Sequence, residues 1–155
     1  MNYIDQNVLP DEKILYRTKK HIIVFLTPLL WTLAALFLSL NGSPYVFKAG
    51  LVFGGIALYS WAMTYLNYSV SEFAVTDKRI MMREGFFLKH TNETRISTIS
   101  NVGVDQNIFG QMLNFGVIII KTYGGDDDPF MDIDKPFEFK KFLQMQLEKV
   151  SSKPG

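Results

Sequence analysis

Five basic side chains lie within one segment of the chain, residues 78–95. They are the residues best suited to bind an anion. They are Lys78, Arg79, Arg83, Lys89 and Arg95. Cations held around a turn donate charge-assisted hydrogen bonds to phosphate, and each adds about 1 kcal/mol near an anionic membrane surface. The pattern therefore indicates a binding site for an anionic lipid head group or for an acidic partner.

Acidic residues nearby favour a plainer role for the same cations. Glu72, Glu84 and Glu93 flank the cluster and are available to pair with the strand arginines. From Asn67 onward the chain has 11 Lys and Arg against 12 Asp and Glu, so this part is nearly neutral. Such a balance argues against nucleic acid as a partner, since nucleic-acid binding needs a basic excess. Turn chemistry and ion pairing are the simpler interpretation of the cluster.

Catalytic chemistry is poorly supported by the residue types present. The chain has no cysteine and only two histidines, which removes thiolate metal sites, cysteine nucleophiles and histidine clusters. Ser97, Thr98 and Ser100 have no paired base in the sequence pattern. We therefore expect no enzyme and no cofactor.

An acidic group in the last third of the chain is the one candidate for a cation site. Its members are Asp126, Asp127, Asp128, Asp132 and Asp134. Carboxylates bind calcium, but the spacing is not that of a calcium-binding loop. A solvated turn is the favoured interpretation, and no metal site is expected.

Two apolar stretches precede this soluble part of the chain and would anchor it to a membrane. Residues 22–40 run nineteen positions without a charge, and a second stretch covers residues 49–66. Each has the length that a helix needs to cross the hydrocarbon core at about 1.5 Å per residue. The first stretch is too long for the core of a cleaved signal peptide and follows too polar a leader. The sequence therefore predicts a transmembrane helical hairpin over residues 22–66.

Charges near the hairpin ends predict its orientation. Lys13, Arg17, Lys19 and Lys20 precede the first stretch, whereas the connecting loop carries only Lys48. Further cations follow the second stretch, so the positive-inside rule places both termini, the leader at residues 1–21 and the soluble domain in the cytoplasm. The residues expected at the membrane interface are Lys19, Lys20, Trp61, Tyr65 and Tyr68.

Small residues in the second stretch allow close helix packing. Gly50 and Gly54 form a GxxxG pattern that Ala57 continues. This pattern permits dimerisation, but packing within the one hairpin is the favoured interpretation.

From residue 67 to residue 150 the pattern changes to short apolar runs separated by turn residues. Six or seven short strands are followed by one amphipathic helix that starts near Pro136. This order predicts an α+β fold, with a small antiparallel β-barrel capped by the C-terminal helix. Residues 151–155 are expected to form a disordered tail. Whether the leader adds a strand to the barrel is left open.

An apolar run, Phe86-Phe87-Leu88, follows a glycine turn. An exposed run would provide a contact for a partner or for the membrane. A core strand of the barrel is the favoured interpretation.

The order of these features resembles one known family. A leader LPDEKILY precedes the hairpin, and a T-x-x-R turn, an I-x-x-I segment and a V-x-Q…G…L-x-x-G stretch follow it. The matching positions are Thr76, Arg79, Ile80, Gly85, Ile96, Ile99, Val104, Gln106, Gly110, Leu113 and Gly116, with the strand at 118–122. Together they resemble the bacterial membrane-flanked PH-like family of the YdbS type.

The resemblance implies a bacterial inner (plasma) membrane protein with a pleckstrin-homology-like barrel and no known enzymatic activity. The acidic run at residues 126–128 departs from the family pattern. The leading hypothesis is a non-catalytic, membrane-anchored adaptor that presents its cytoplasmic barrel to a protein partner or to copies of itself. The alternative is anionic-lipid sensing or lipid handling through the basic first hairpin.

Overall fold

The computed structural model describes residues 3–40, 43–86, 90–125 and 127–151. The chain divides into two compact units. The helix pair is formed by residues 22–69, and the sheet unit combines residues up to 21 with those from 70 onward. The helix pair is thus an insertion, and the chain leaves the sheet unit after His21 and returns to it at Val70.

The described residues form five α-helices and seven short strands. The helices are α1 (Tyr3–Asn7), α2 (Leu26–Leu40), α3 (Pro44–Val70), α4 (Ile108–Leu113) and α5 (Pro136–Ser151). The strands are β1 (Ile14–Thr18), β2 (Glu72–Thr76), β3 (Arg79–Glu84), β4 (His90–Arg95), β5 (Ile99–Asp105), β6 (Phe115–Thr122) and β7 (Asp128–Asp134). Single 3-10 turns at Ile22–Phe25 and Ile96–Thr98 precede α2 and β5.

Both members of the helix pair are long and apolar enough to cross a membrane, with 19 residues at Ile22–Leu40 and 27 at Pro44–Val70. The second helix therefore begins before residue 49 and ends after residue 66, the bounds expected from the sequence. Residues such as Lys48 and Asn67 are tolerated in a helix although they are polar. Hydropathy therefore locates the apolar part of this helix rather than its ends.

Small and aromatic side chains pack α2 against α3 inside the helix pair. A Cβ added to Gly50 would overlap the Ser39 hydroxyl, whereas one added to Gly54 would meet nothing within 4 Å. The Trp61 ring lies 5.6 Å from the Phe25 ring, and its Nε1 donates to Thr32 Oγ1 at 3.0 Å. Gly50 therefore serves packing within the one hairpin.

In the part of the chain that the structure describes, seven strands in two antiparallel sheets form the body of the sheet unit. The first sheet has the order β1-β2-β3-β4 and the second the order β5-β6-β7. The leader supplies β1, which answers the question that the sequence left open: Thr18 lies opposite Phe73, and Ile14 lies opposite Thr76.

The two sheets are linked at one corner, where the chain beyond β1 reaches β7. Lys20 forms an isolated bridge with Ile133, and the His21 N–H donates to the Asp132 carbonyl at 2.6 Å. Between β4 and β5 the chain instead turns through the 3-10 turn, and the described residues form no ladder there. The predicted small antiparallel barrel is therefore found, in the described ranges, as two joined sheets with one open corner and not as a closed ring of strands.

The C-terminal helix covers the apolar interior between the sheets. Phe139 and Leu143 have no exposed surface, and they pack with core residues from both sheets. Those core residues are Phe73, Val75, Ile80, Met82, Ile96, Ile99, Val102, Ile118, Ile120, Phe130 and Ile133. The helix starts at Pro136, where the sequence placed its first turn.

Strand direction gives the sheet unit two distinct ends. We call the junction end the one where the chain meets the helix pair: it contains Lys19–His21 and Glu72, and the register adds Arg83, Phe115 and Asp134. The far end is opposite, because β2 runs from Glu72 to Thr76 and β3 returns. It contains the turn at 77–78, the 3-10 turn at 96–98 and Tyr123, which hydrogen bonds joining Lys78 to Ile96 and Thr98 to Tyr123 hold together.

Candidate functional site

The predicted basic cluster is divided between the two ends of the sheet unit. Lys78, Arg79 and Arg95 lie at the far end, whereas Arg83 lies at the junction end. Arg83 lies four positions after Arg79 on the same strand, which is about 13 Å at 3.3 Å per residue. Lys89 lies outside the described residues. The cluster is therefore not one convergent pocket among the described side chains.

Arg79, the first residue of β3, joins the leader to the hairpin formed by β2 and β3. Its Nε and Nη2 donate to the two oxygens of Glu12 at 3.0 and 2.9 Å, and Nη1 donates to Glu93 at 2.7 Å. The side chain of Glu12 is fully buried, and that of Arg79 is 20% exposed. The Thr76 hydroxyl donates to Glu12 at 2.6 Å and accepts the Arg79 N–H at 3.0 Å. These contacts explain why a Thr-x-x-Arg turn accompanies an acidic residue in the leader.

The arrangement controls the ionisation of Glu12. Burial disfavours its charged form, but hydrogen bonds from Arg79, Thr76 and the Leu9 N–H outweigh burial and lower the pKa of Glu12 below 4.5. The stabilisation from this carboxylate is complete above the pKa of the unfolded chain and is lost as pH falls through the lower folded value.

We therefore expect the sheet unit to lose stability below about pH 4.5 in part through Glu12. Urea unfolding of the detergent-solubilised chain from neutral to acidic pH, followed by near-ultraviolet circular dichroism, measures this loss. Glu12→Gln should be less stable at neutral pH and should show a shallower pH dependence. An identical slope in both proteins would contradict the assignment.

The remaining predicted binding residues have different surroundings. Lys78 and Arg95 are exposed and form no ion pair with another described residue. The Arg83 guanidinium lies 5.0 Å from the centre of the Tyr3 ring, a cation–π contact that ties α1 to β3. At the junction end Lys19 is exposed, and Lys20 pairs with Glu84 at 3.6 Å.

The aromatic residues expected at the membrane interface differ in exposure. Tyr65 is 62% exposed, whereas Trp61 is 38% exposed. Tyr68 packs edge-on against Phe25 at 5.3 Å, on the same ring that Trp61 contacts. Of the run at 86–88, only Phe86 is described, and it is 40% exposed. Phe87 and Leu88 lie outside the described residues.

A groove opens at the far end, between the C-terminal half of α5 and the start of β5. It encloses about 290 Å³ and is lined by Ile96, Ser97, Ile99, Ser100, Tyr123, Leu147 and Val150. Tyr123 stands at its edge and is 76% exposed. The groove combines an apolar floor with hydroxyl groups, a composition that suits a side chain of another protein.

The acidic turn and the hydroxyl residues are used in local structure. Asp127 pairs with Lys121 at 2.7 Å, Asp128 accepts from Asn92 at 2.7 Å, and Asp126 lies outside the described residues. The Thr98 hydroxyl donates to the Arg95 carbonyl at 2.8 Å. In the described ranges no group of three His, Cys, Asp or Glu residues is arranged to hold a metal ion.

The sequence did not identify α4, at the junction end, as a functional element. The large apolar side chains of this helix are nevertheless exposed. Gly110 is buried where a Cβ would lie 2.5 Å from the Phe115 carbonyl oxygen. A run of apolar residues closely flanked by Asn107 and Asn114 was the available signal.

We expect Gly110→Ala to loosen α4, because the added methyl group overlaps backbone that cannot move away, at a cost of about 1–3 kcal/mol. Hydrogen exchange of the amides between residues 106 and 116 measures the change. Gly103→Ala is the matched control, since its Cβ would meet only Ile119 at 3.7 Å. Equal protection in the two variants would refute the tight seating of α4.

A second, larger groove lies beside α4, with a volume of about 480 Å³. Its lining residues are Asp105, Gln106, Asn107, Phe115, Gly116, Val117 and Asp132. Two carboxylates in the wall make this groove unfavourable for an anionic head group, because like charges repel at close range.

Comparison with known proteins gives a match to one family. No curated protein and no solved structure matches the chain. The family described as the bacterial PH domain matches residues 21–147, which include the helix pair and all strands after β1. Domains of the PH type are often interaction or lipid-binding modules and are generally non-catalytic. The chain belongs to the bacterial PH domain family.

Proposed function

We propose that this chain is a non-catalytic adaptor anchored in the bacterial plasma membrane. The helix pair is the anchor, and the sheet unit docks a protein partner or a second copy of the chain on the cytoplasmic side. Membrane anchoring raises the effective concentration of such a module toward other membrane proteins.

The place of the helix pair in the chain supports an anchoring role. Two covalent connections, after His21 and at Val70, tether the same end of the sheet unit, because Thr18 and Phe73 lie opposite each other in the β1–β2 ladder. A unit held at two points has less rotational freedom than one on a single linker. It therefore presents a defined surface to its partners.

The far-end groove is the observation that carries the docking proposal. It lies at the end of the strands opposite the two tethers, and its edge residue Tyr123 is largely exposed. Tyrosine is enriched among the residues that dominate binding energy in protein interfaces. Leu147 and Val150 supply an apolar floor next to it.

Anionic-lipid binding through the basic first hairpin is the less supported alternative. Arg79 is held by Glu12 and Glu93, so its charge is already compensated. Lys78 and Arg95 are exposed, but they lie at the far end of strands whose other end is tethered. A lipid site formed by these residues would require the far end to reach the bilayer.

Site-specific photocrosslinking in native membranes tests the docking proposal. A photoreactive residue at Tyr123 should give an adduct of defined mass with a protein or with a second copy, and Val150→Glu should reduce it. The matched control is Phe137, a 56% exposed residue on the same sheet unit, at the start of α5. A lipid adduct at residue 123, or no adduct at all, would contradict the proposal.

A further inference from the structure

The four large apolar side chains of the short helix α4 are exposed. The exposed fractions are 75% for Ile108, 67% for Phe109, 77% for Met112 and 49% for Leu113. Successive helical residues are rotated by about 100°, so these four positions share one broad face. Single exposed apolar residues are ordinary, but a contiguous group of them marks an interaction surface.

Polar contacts on the opposite face fix this orientation. The Asn107 side chain caps the helix by accepting the Gly110 N–H at 2.7 Å. Gln106 Nε2 donates to the Phe115 carbonyl at 2.7 Å, and the buried Gly110 packs against the same carbonyl. Asn114 ends the helix in the left-handed conformation, with φ of 60°. The apolar face therefore points away from the sheets.

The helix α4 lies at the junction end, beside the point where the chain leaves the sheet unit. Phe115 follows α4 almost directly, and its ring stacks on His21 with the ring centres 5.2 Å apart. His21 is the last residue of the sheet unit before the first apolar helix. If that helix spans the membrane, as the proposed function requires, the residues around His21 lie at the bilayer surface.

We propose that α4 inserts its apolar face into the interfacial layer of the membrane, with the lipid bilayer as its partner. The face carries no charge, and the amides of Asn107, Gln111 and Asn114 border it, where they can remain in the head-group layer. Apolar burial drives such insertion, so it differs from the salt-dependent binding expected of a basic hairpin. A second copy or a soluble partner would have to compete with lipid for the apolar face of α4, because this face is tethered next to the bilayer.

The absence of native cysteines allows a direct test on the full chain. Single cysteines at Met112, Tyr123 and Leu33 are labelled with an environment-sensitive fluorophore, and each protein is reconstituted into vesicles containing nitroxide-labelled lipids. Met112 and Tyr123 are matched, because they are 77% and 76% exposed on opposite ends of the sheet unit. Leu33, in the middle of the first apolar helix, reports on spanning.

We expect a shallow lipid nitroxide to quench the label at residue 112 and not the label at 123, with no change at high salt. A deep nitroxide should quench the label at residue 33. Quenching at 33 without quenching at 112 would overturn the insertion of α4 and leave the membrane anchor intact. No quenching at 33 would overturn the proposed function itself. A label at 112 that is shielded from aqueous iodide but untouched by lipid nitroxides would show that protein covers α4, which also overturns the inference.

Discussion

Arg79→Ala is expected to destabilise the sheet unit by about 3 kcal/mol, the cost typical of breaking one side of a buried ion pair. The substitution leaves the Glu12 carboxylate, whose side chain is fully buried, without its bidentate partner. It also removes one of the contacts that join the leader to β3. In the full chain in detergent, exchange of the β2 and β3 amides should become about 100-fold faster, since 1.4 kcal/mol corresponds to a factor of ten.

Lys78→Ala is the control for this prediction. Lys78 is the neighbouring cation in the same turn, but it is exposed and unpaired among the described residues, so its loss should change stability by less than about 0.5 kcal/mol. Arg79→Lys should recover only part of the loss, because an ammonium group cannot donate to both oxygens in the same plane. If Arg79 instead served mainly to bind lipid, Arg79→Ala and Lys78→Ala would leave exchange equally unchanged.

Phe139→Ala has the second large expected effect. The ring is fully buried and lies in the core that α5 closes, with an edge-on contact to Tyr16 at 6.3 Å. Removing a buried phenyl ring leaves a cavity between the sheets and costs about 3–5 kcal/mol. Unfolding free energies from hydrogen exchange of the β6 amides should fall by this amount.

Phe137→Ala provides the matched comparison on the same helix. Phe137 is 56% exposed, so the same change of residue type should cost much less than at position 139. A similar loss at both positions would mean that α5 does not cover the core in the way its contacts indicate.

Sequence patterns were sufficient to predict the family, the α+β class and the amphipathic C-terminal helix. Periodicity indicated an amphipathic helix that starts near Pro136, and Phe139 and Leu143 on this helix are fully buried. These features are local, since each depends on residues a few positions apart. The joining of strands into sheets is not local, because it depends on pairing between residues far apart in the chain. The sequence therefore did not indicate that the 3-10 turn at Ile96–Thr98 separates two sheets.

The role of Arg79 could not be predicted for a related reason. Glu12 precedes it by 67 positions, and two apolar helices lie between them. The sequence offered Glu93 as a partner, which the structure includes, but gave no register for the leader. The exposure of α4 was also hidden, because apolar residues at helical spacing normally indicate a face turned toward the core.

Labelling of single cysteines in spheroplasts tests whether a two-span hairpin tethers the sheet unit on the cytoplasmic side. Ser43 lies between α2 and α3, and Tyr123 lies at the far end of the sheet unit. A membrane-impermeant maleimide should label Ser43→Cys in intact spheroplasts and should label Tyr123→Cys only after permeabilisation. Labelling of Tyr123→Cys from outside, or protection of both positions until permeabilisation, would contradict this topology.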